Sequence, residues 1–407
     1  MRMKTILIFV LAMAMVCTML VFASCGEEEE KPAEDTETLT IGLSAPLSGA
    51  GAGYGGDIKA GMDMAIEKIN DDGGITVGDT TYNFAVEAKD DEMVPEQALT
   101  NATSMVLEEG VNIIFDPTAN TIQSLMTINE TAGEEFLIMA YTSTPLNFTE
   151  VNPNTNTMYV SGPPPFTAYI EEFIKLAMGN GWIKLGMLQT TGAYGELWGD
   201  TFSQYWAGAG GEIVASSPAD YYTTTDYTAN LTTVLEANPD VLFIGGPSDP
   251  TALVIEQARG LGFEGGFIVI DQAKLDDIAQ ITGMEALEGA IGVLPPENAV
   301  ADFPYMEQFA ADYEAEYNDM VTWETAITYT MFNILAKAIE EAGVVDDVEA
   351  IRAAFAEGNV SVTSGDEFPV AFSGIESTIG ALLMPATTTM VVDGDWADLE
   401  MQLWWEE

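Results

Sequence analysis

The chain has 407 residues, 47% of them hydrophobic, which affords two sizeable cores, yet it carries 65 acidic residues against 12 basic ones, no histidine and a formal net charge of -53. Nucleic acid is excluded as a partner, because a phosphate-binding surface needs clustered Lys and Arg. The acids are spread among periodic apolar segments and read as a solvated coat, not as a disordered acidic tail.

At the N-terminus, Arg2 and Lys4 precede an apolar run from Ile6 to Ala23, the order of charge then grease that marks an export signal. The run ends in Phe22-Ala23-Ser24-Cys25, which resembles the bacterial lipobox, with Phe22 in place of the usual leucine. The expectation is a signal peptide over 1–24, removed to leave Cys25 lipidated as the new terminus; the alternative is an uncleaved membrane anchor. Either way the body lies outside the cell membrane. Cys17 leaves with the signal and Cys25 takes the lipid, so the body has no thiol for a disulfide or a metal. Residues 25–38, rich in Glu and without apolar periodicity, read as an acidic tether that would reach ~20 Å from the membrane as a flexible coil.

From Leu39 onward, short β-rich runs alternate with helical patterns. Strands are expected at 41–45, 82–88, 111–115 and 136–141, with helices at 57–70, 95–108 and 121–132 between them. The alternation resumes with helix 166–178, strand 184–188, helix 195–207, strand 212–215, helix 227–237, strand 241–244, helix 251–261 and strand 267–270. A strand at 288–294 and helices at 303–317, 325–341 and 348–356 follow, then a tail with a β-like "TTTMVVDGDW". This is an α/β pattern of parallel sheets covered by helices. It holds too many βα units for one open sheet, so the chain divides at the prolyl stretch Ser161–Pro165 into two doubly wound parallel-sheet lobes. Lobe 1 spans 39–161, with 295–374 returning to it; lobe 2 spans 162–294, with 375–407 returning to it.

Catalytic motifs are wanting. Gly51-Ala52-Gly53-Tyr54-Gly55-Gly56 matches GxGxxG, but its glycines start well after Pro46 and not in a tight turn, so a rim loop is the better reading than a dinucleotide site. Without histidine or a GxSxG elbow no nucleophilic triad can be built. Asp393, Asp395 and Asp398 lack the closing Glu of a calcium loop. The expectation is a binding protein, not an enzyme, with no cofactor and no metal.

Ligands of open α/β sheets sit beyond the carboxyl ends of the strands. Four segments fall there: Pro117–Thr121, Thr142–Pro145, Ala193–Trp198 and Asp271. The first two offer hydroxyls, an amide and helix N-terminal amides, which can hold a carboxylate without any arginine, and Asp271 could face an ammonium across the cleft. Each also has a purely structural reading: Thr121 and Ser143 as caps, Tyr194 as a packing aromatic, Asp271 as an N-cap.

Beyond these residues, "IGLSAPLSGAGAGYGGDIKAGMDMAIEKINDDGGI" (41–75), "AYGELWGDTFSQYWAGAGGEIV" (193–214), "TDYTANLTTVLEANPDVLFIGG" (225–246) and "EQARGLGF" (256–263) resemble the substrate-binding proteins of branched-chain amino acid (Leu/Ile/Val-type) ABC transporters, of the type I periplasmic-binding fold. The resemblance implies two lobes joined by crossover hinge strands that close on a small ligand, and delivery to an ABC permease driven by a separate ATPase. It places Ser143 where the family uses a hydroxyl residue toward the ligand carboxylate, Asn120 where it commonly has Ser, Tyr194 on the family tyrosine of "YG" in the second lobe, and Asp271 on an acidic residue that receives the ligand amine; Thr121 and Thr142 are candidates by strand-end position alone. Tyr141 stands where a small residue is usual, and Pro247-Ser248 replace an aromatic pair, so the branched-chain specificity is in question while the amino acid class is kept. A ligand-sensing receptor subunit, or a binder of urea, short amides or aromatic acids on the same scaffold, are the alternatives.

A coat this acidic repels itself in dilute buffer, whereas at about 1 M salt the Debye length shrinks to about 3 Å and the repulsion is screened. We expect a salty habitat and a melting temperature that climbs as KCl or NaCl is added; a flat or falling melting curve would remove the inference.

Overall fold

The first described element is strand β1 (Thr36–Ala45), whose apolar half, Ile41 to Ala45, is buried. In the computed structural model, residues 36–143, 157–355, 361–362, 367–376, 380–397 and 401–405 are described. The export segment, Cys25 and the tether to residue 35 lie outside them. Thr36, Glu37 and Thr38 pair with Thr81, Tyr82 and Asn83, so the tether boundary expected at residue 38 moves back to before Thr36.

β1 leads into helix α1 (Ala52–Asp71) and the hairpin β2 (Ile75–Val77) and β3 (Thr80–Asp90). Helix α2 (Pro95–Glu109), β4 (Ile113–Asp116), α3 (Ala119–Leu125), β5 (Leu137–Ala140) and β6 (Tyr159–Ser161) complete the first half. The strands make one sheet in which β1 runs parallel to β3 on one side and β4 on the other, with β5 and β6 continuing outward. The chain then crosses at Gly162–Pro165 to a second sheet. Its parts are α4 (Phe166–Gly179), β7 (Lys184–Gln189), α5 (Ala193–Gly208), β8 (Glu212–Ser216), α6 (Thr228–Leu235), β9 (Val241–Gly245), α7 (Ser248–Gly260), β10 (Gly266–Val269), α8 (Leu275–Thr282) and β11 (Ala290–Val293). Here β7 sits between β8 and β9, repeating the arrangement around β1.

Helices α9 (Met306–Tyr317), α10 (Trp323–Ala342) and α11 (Val348–Ala354) return to the core of the first sheet. The tail corrects the expected boundary at 374. β12 (Ile375–Glu376) and β13 (Ala381–Leu382) pair on the first sheet, Ala381 beside Ser161, and only β14 (Thr388–Val392) and β15 (Asp395–Ala397) join the second. The β14–β15 turn places Asp393 at φ 54° and Gly394 at φ 76°, the left-handed pair that an Asp-Gly hairpin supplies at least strain.

Apolar clusters cover both faces of each sheet. Three expectations change. Helix α8 occupies a stretch where no element was expected, although Leu275 and Ile278 on one face, acids in the first turn and Gly283 after the end are ordinary helix signals. The helix expected over 121–132 ends at Leu125, and beyond it Asn129 Nδ2 donates to the Met158 carbonyl at 3.0 Å to pin the turn. β2 and β6 have three residues each, too short for a periodic signal.

The tightest helix contact is between α1 and α10: a Cβ built on Gly61 would lie 2.5 Å from the Thr325 carbonyl oxygen, while one on Gly56 meets nothing within 4 Å. Glycine is required at the first position only. Gly61→Ala should destabilise the protein by about 1–3 kcal/mol through overpacking, whereas Gly56→Ala should stabilise it by about 0.5–1 kcal/mol through helix propensity. Paired thermal melts check both; equal shifts would refute the close approach.

Candidate functional site

In each sheet the chain leaves the central strand in one direction and its neighbour in the other, which opens a crevice at the carboxyl ends. The two crevices face each other. Between them lie two cavities. The outer one, of about 460 Å³, is walled by Ser48, Met93, Pro117–Asn120 and Thr142 from the first lobe and by Thr191–Tyr194, Asp220 and Tyr222 from the second. The inner one, of about 40 Å³, lies among Tyr141, Tyr169, Asp271, Lys274, Trp323 and Glu324. Tyr54, Thr142, Tyr194 and Gln272 line both and form the neck.

Local backbone needs explain how these side chains are aimed. A Cβ on Gly55 would lie 2.1 Å from the Pro46 carbonyl oxygen, so only glycine lets α1 start against the end of β1 and present Tyr54 to the cleft. The Tyr54 hydroxyl lies 2.9 Å from the Pro117 carbonyl and 3.1 Å from that of Tyr141, tying the ends of β4 and β5. Gly195 does the same in the second lobe: its Cβ would fall 1.8 Å from the Thr190 carbonyl oxygen, and its absence lets α5 begin with Tyr194 in the neck.

The residues singled out from sequence divide into two groups. Asn120, Tyr141, Thr142, Tyr194 and Asp271 line the cavities. Asn120 also donates to the Met93 carbonyl at 2.9 Å, and Tyr141 packs edge-on to Tyr54 at 6.1 Å. Thr121, Ser143 and Ser248 line neither. The buried Thr121 hydroxyl donates to Asp116 Oδ1 at 2.5 Å, which braces the turn after β4. Ser143 donates to the Pro164 carbonyl at 2.7 Å, at the crossing between lobes. Ser248 accepts the Lys274 backbone N–H at 3.1 Å, joining the starts of α7 and α8. Short hydroxyl side chains at strand ends satisfy their own turns first.

Asp271 is the focus of the second lobe. The Tyr194 hydroxyl donates to its Oδ1, and Trp198 Nε1 donates to the same oxygen at 3.0 Å. Burial pushes its carboxyl above the usual range, opposed by the hydroxyls of Tyr194 and Ser143 and by Trp198.

Sequence reasoning missed the charged group behind it. Lys274 Nζ lies 2.5 Å from Asp57 Oδ2 on α1, 3.6 Å from Glu324 Oε2 on α10 and 3.7 Å from Asp277 Oδ2. Lys274 thus pairs across the lobes with two acids, Asp57 and Glu324. Burial alone would lower the Lys274 pKa, but Glu324, Asp57 and Asp277 outweigh it and hold the ammonium charged. Burial pushes Glu324 up to about 7, because a cation shared among three carboxylates does not fully offset its desolvation. Tyr54, Gln272 and Trp323 were also missed. The signals were present: Lys274 is one of only 12 basic residues, and Glu324 is the only charged residue of α10 before Lys337.

Tyr194 and Leu197 of the second lobe pack on the first-lobe cluster containing Ala119 and Ile122, so the lobes are in contact. The arrangement can enclose a small ligand, accept a positive group at Asp271 and offer neutral donors elsewhere. Among the described residues no helix is long and apolar enough to cross a membrane, and no group of His, Cys, Asp and Glu is placed to hold a metal ion.

The chain is 28% identical over 326 residues to the Leu/Ile/Val-binding protein BraC3 of Rhizobium johnstonii, an alignment covering 79% of this chain and 84% of that one. Among solved structures it is similar to the branched-chain amino acid transporter substrate-binding protein LivJ of Streptococcus pneumoniae in complex with isoleucine, at a TM-score of 0.72, 18% identity and coverage of 90% of this chain and 99% of that one. It is equally similar to a Rhodopseudomonas palustris ABC transporter solute-binding protein in complex with 3,4-dihydroxybenzoic acid, at a TM-score of 0.73, 20% identity and coverage of 90% and 96%. The expected two-sheet α/β fold of type I is thereby met, and these relatives bind solutes and are not enzymes. With the profile of the periplasmic binding protein family matching residues 38–375, the chain belongs to that family, an extracytoplasmic ligand-binding component of the ABC transporter type.

Proposed function

We propose that this protein, anchored outside the cell by a lipid on Cys25, captures an amino acid between its lobes and hands it to an ABC permease and its ATPase. The observation that carries this reading is Asp271: a half-buried acid in the wall of the inner cavity beside the neck, fed on Oδ1 by Tyr194 and Trp198. We assign the ligand ammonium to the other carboxylate oxygen. The ligand carboxylate is assigned to neutral donors, Asn120, Thr142 and the first-turn amides of α5, because the charged residues of the outer cavity, Glu92 and Asp220, are both acids.

Closure supplies the mechanism. A ligand favours the closed state only through contacts that it makes there and not in the open state. Here it would contact both lobes at once, and the Lys274–Asp57 pair adds a protein-only contact across the same gap. Such a latch sets the closing equilibrium without touching the ligand.

Three outcomes are expected. Asp271→Asn keeps the shape and hydrogen bonds but removes the charge, and should weaken amino acid binding ~10-fold to ~100-fold, since a charge-assisted hydrogen bond contributes about 1.5–3 kcal/mol. Unchanged affinity by calorimetry would take Asp271 out of the site. Lys274→Met leaves Asp57 and Glu324 without their cation, a loss of about 3–5 kcal/mol for a broken buried pair, and should open the lobes. An increased radius of gyration by small-angle scattering checks it. Glu324, raised from 4.5 to about 7, keeps a proton in the folded state that the unfolded chain has released. Its contribution to stability is therefore lost as pH rises from about 4.5 through about 7, and in high salt the melting temperature should fall less steeply over that window in Glu324→Gln than in the wild type.

A further inference from the structure

The inner cavity presents a buried carboxyl oxygen with no hydrogen-bond donor against it, only the ion pair to Lys274. Glu324 is 3% exposed, and its Oε2 accepts no hydrogen bond among the described residues; its nearest cation, Lys274 Nζ, stands 3.6 Å away and is already bonded to Asp57. The oxygen belongs to a residue lining a chamber of about 40 Å³, room for a few waters or one slim chain but not for a ring. The other acids of that wall are Asp271 and Asp276, and Lys274 is the single cation.

From this geometry we propose that the inner cavity is a subsite for a slender ligand end that donates N–H hydrogen bonds and carries positive charge, an alkylammonium or guanidinium group, received by Glu324. The proposal deepens the preceding section and rests on its reading that the ligand occupies this cleft.

Three physical arguments converge on that class. A neutral branched side chain would expel water from the chamber and leave Glu324 Oε2 dry and without a hydrogen bond, whereas an N–H donor supplies one. A carboxylate or an aromatic acid would face three acids and a lysine already committed elsewhere, in a space too narrow for its ring. A cation, by contrast, is favoured both by the acids and by the faces of Tyr54, Tyr141, Tyr169 and Trp323 that surround the chamber. Tyr141, which stands where a small residue was expected, fits this role: it narrows the chamber and adds a ring for the cation to lie against.

The test is calorimetry and thermal shift in high salt on the full chain, with lysine, arginine, norleucine, leucine and 1,5-diaminopentane as probes. The expected result is that lysine or arginine binds about tenfold or more tightly than norleucine, and that Glu324→Gln brings this ratio to about one, a comparison within each variant that cancels any change in lobe closure. Leucine or norleucine binding at least as tightly as both basic amino acids overturns the proposal and leaves the amino acid reading standing. So does a preference that survives in Glu324→Gln. If no amino acid binds but diaminopentane raises the melting temperature of the wild type and not of Glu324→Gln, the subsite stands and the amino acid reading falls. If no probe shifts the melt, both fall. Should Glu324→Gln not fold, as judged by its melt without ligand, Glu324→Asp replaces it, and the basic preference should then be reduced but not abolished.

Discussion

The cleft is organised around one buried ammonium. Lys274 leaves the second lobe just beyond β10 and reaches Asp57 and Glu324, which belong to two different helices of the first. In a chain with a formal net charge of -53, bringing two lobes together presses like charges against each other, and a cation placed between them reverses the sign of that contact. Burial makes the interaction sensitive to geometry, because a desolvated charge is costly as soon as its partner withdraws. The lysine, the aspartate and the glutamate therefore act as a unit whose state depends on whether the lobes are together.

The close packing of α1 on α10 makes that unit possible. Gly61 lets the two helix backbones approach, and the same approach sets Asp57 and Glu324 side by side on the face that meets Lys274. Gly55 and Gly195 perform the matching service at the strand ends, where they allow Tyr54 and Tyr194 to stand in the neck. Backbone proximity at three glycines thus decides the placement of nearby polar side chains. In the stretch that looked like a nucleotide-binding fingerprint, Gly51 and Gly55 lie against Pro46, while Gly53 and Gly56 meet nothing within 4 Å.

Much of the fold was legible because its signal is periodic. Alternating strands and amphipathic helices, a prolyl break at 161–165 and a β-like tail segment are local features, and each appears in the structure near its expected place. Short elements escaped, since β2, β6, β12 and β13 are too brief to display a period, and helix α8 was passed over although its caps were readable. Of the residues singled out at strand ends, Asn120, Thr142, Tyr194 and Asp271 line the cavities. Thr121, Ser143 and Ser248 do not line them, and their hydroxyls turn to Asp116, Pro164 and the Lys274 backbone.

The amino acid sequence by itself determined the α/β class, the crossing between two sheets, the acidic coat and the exclusion of catalysis by histidine, because these depend on composition and on neighbours a few residues apart. Only the tertiary structure decided which polar residues share a cavity. Asp57, Lys274 and Glu324 lie far apart in the chain, and their meeting depends on helix packing and on the sum of burial and charge at one point, which no local pattern encodes.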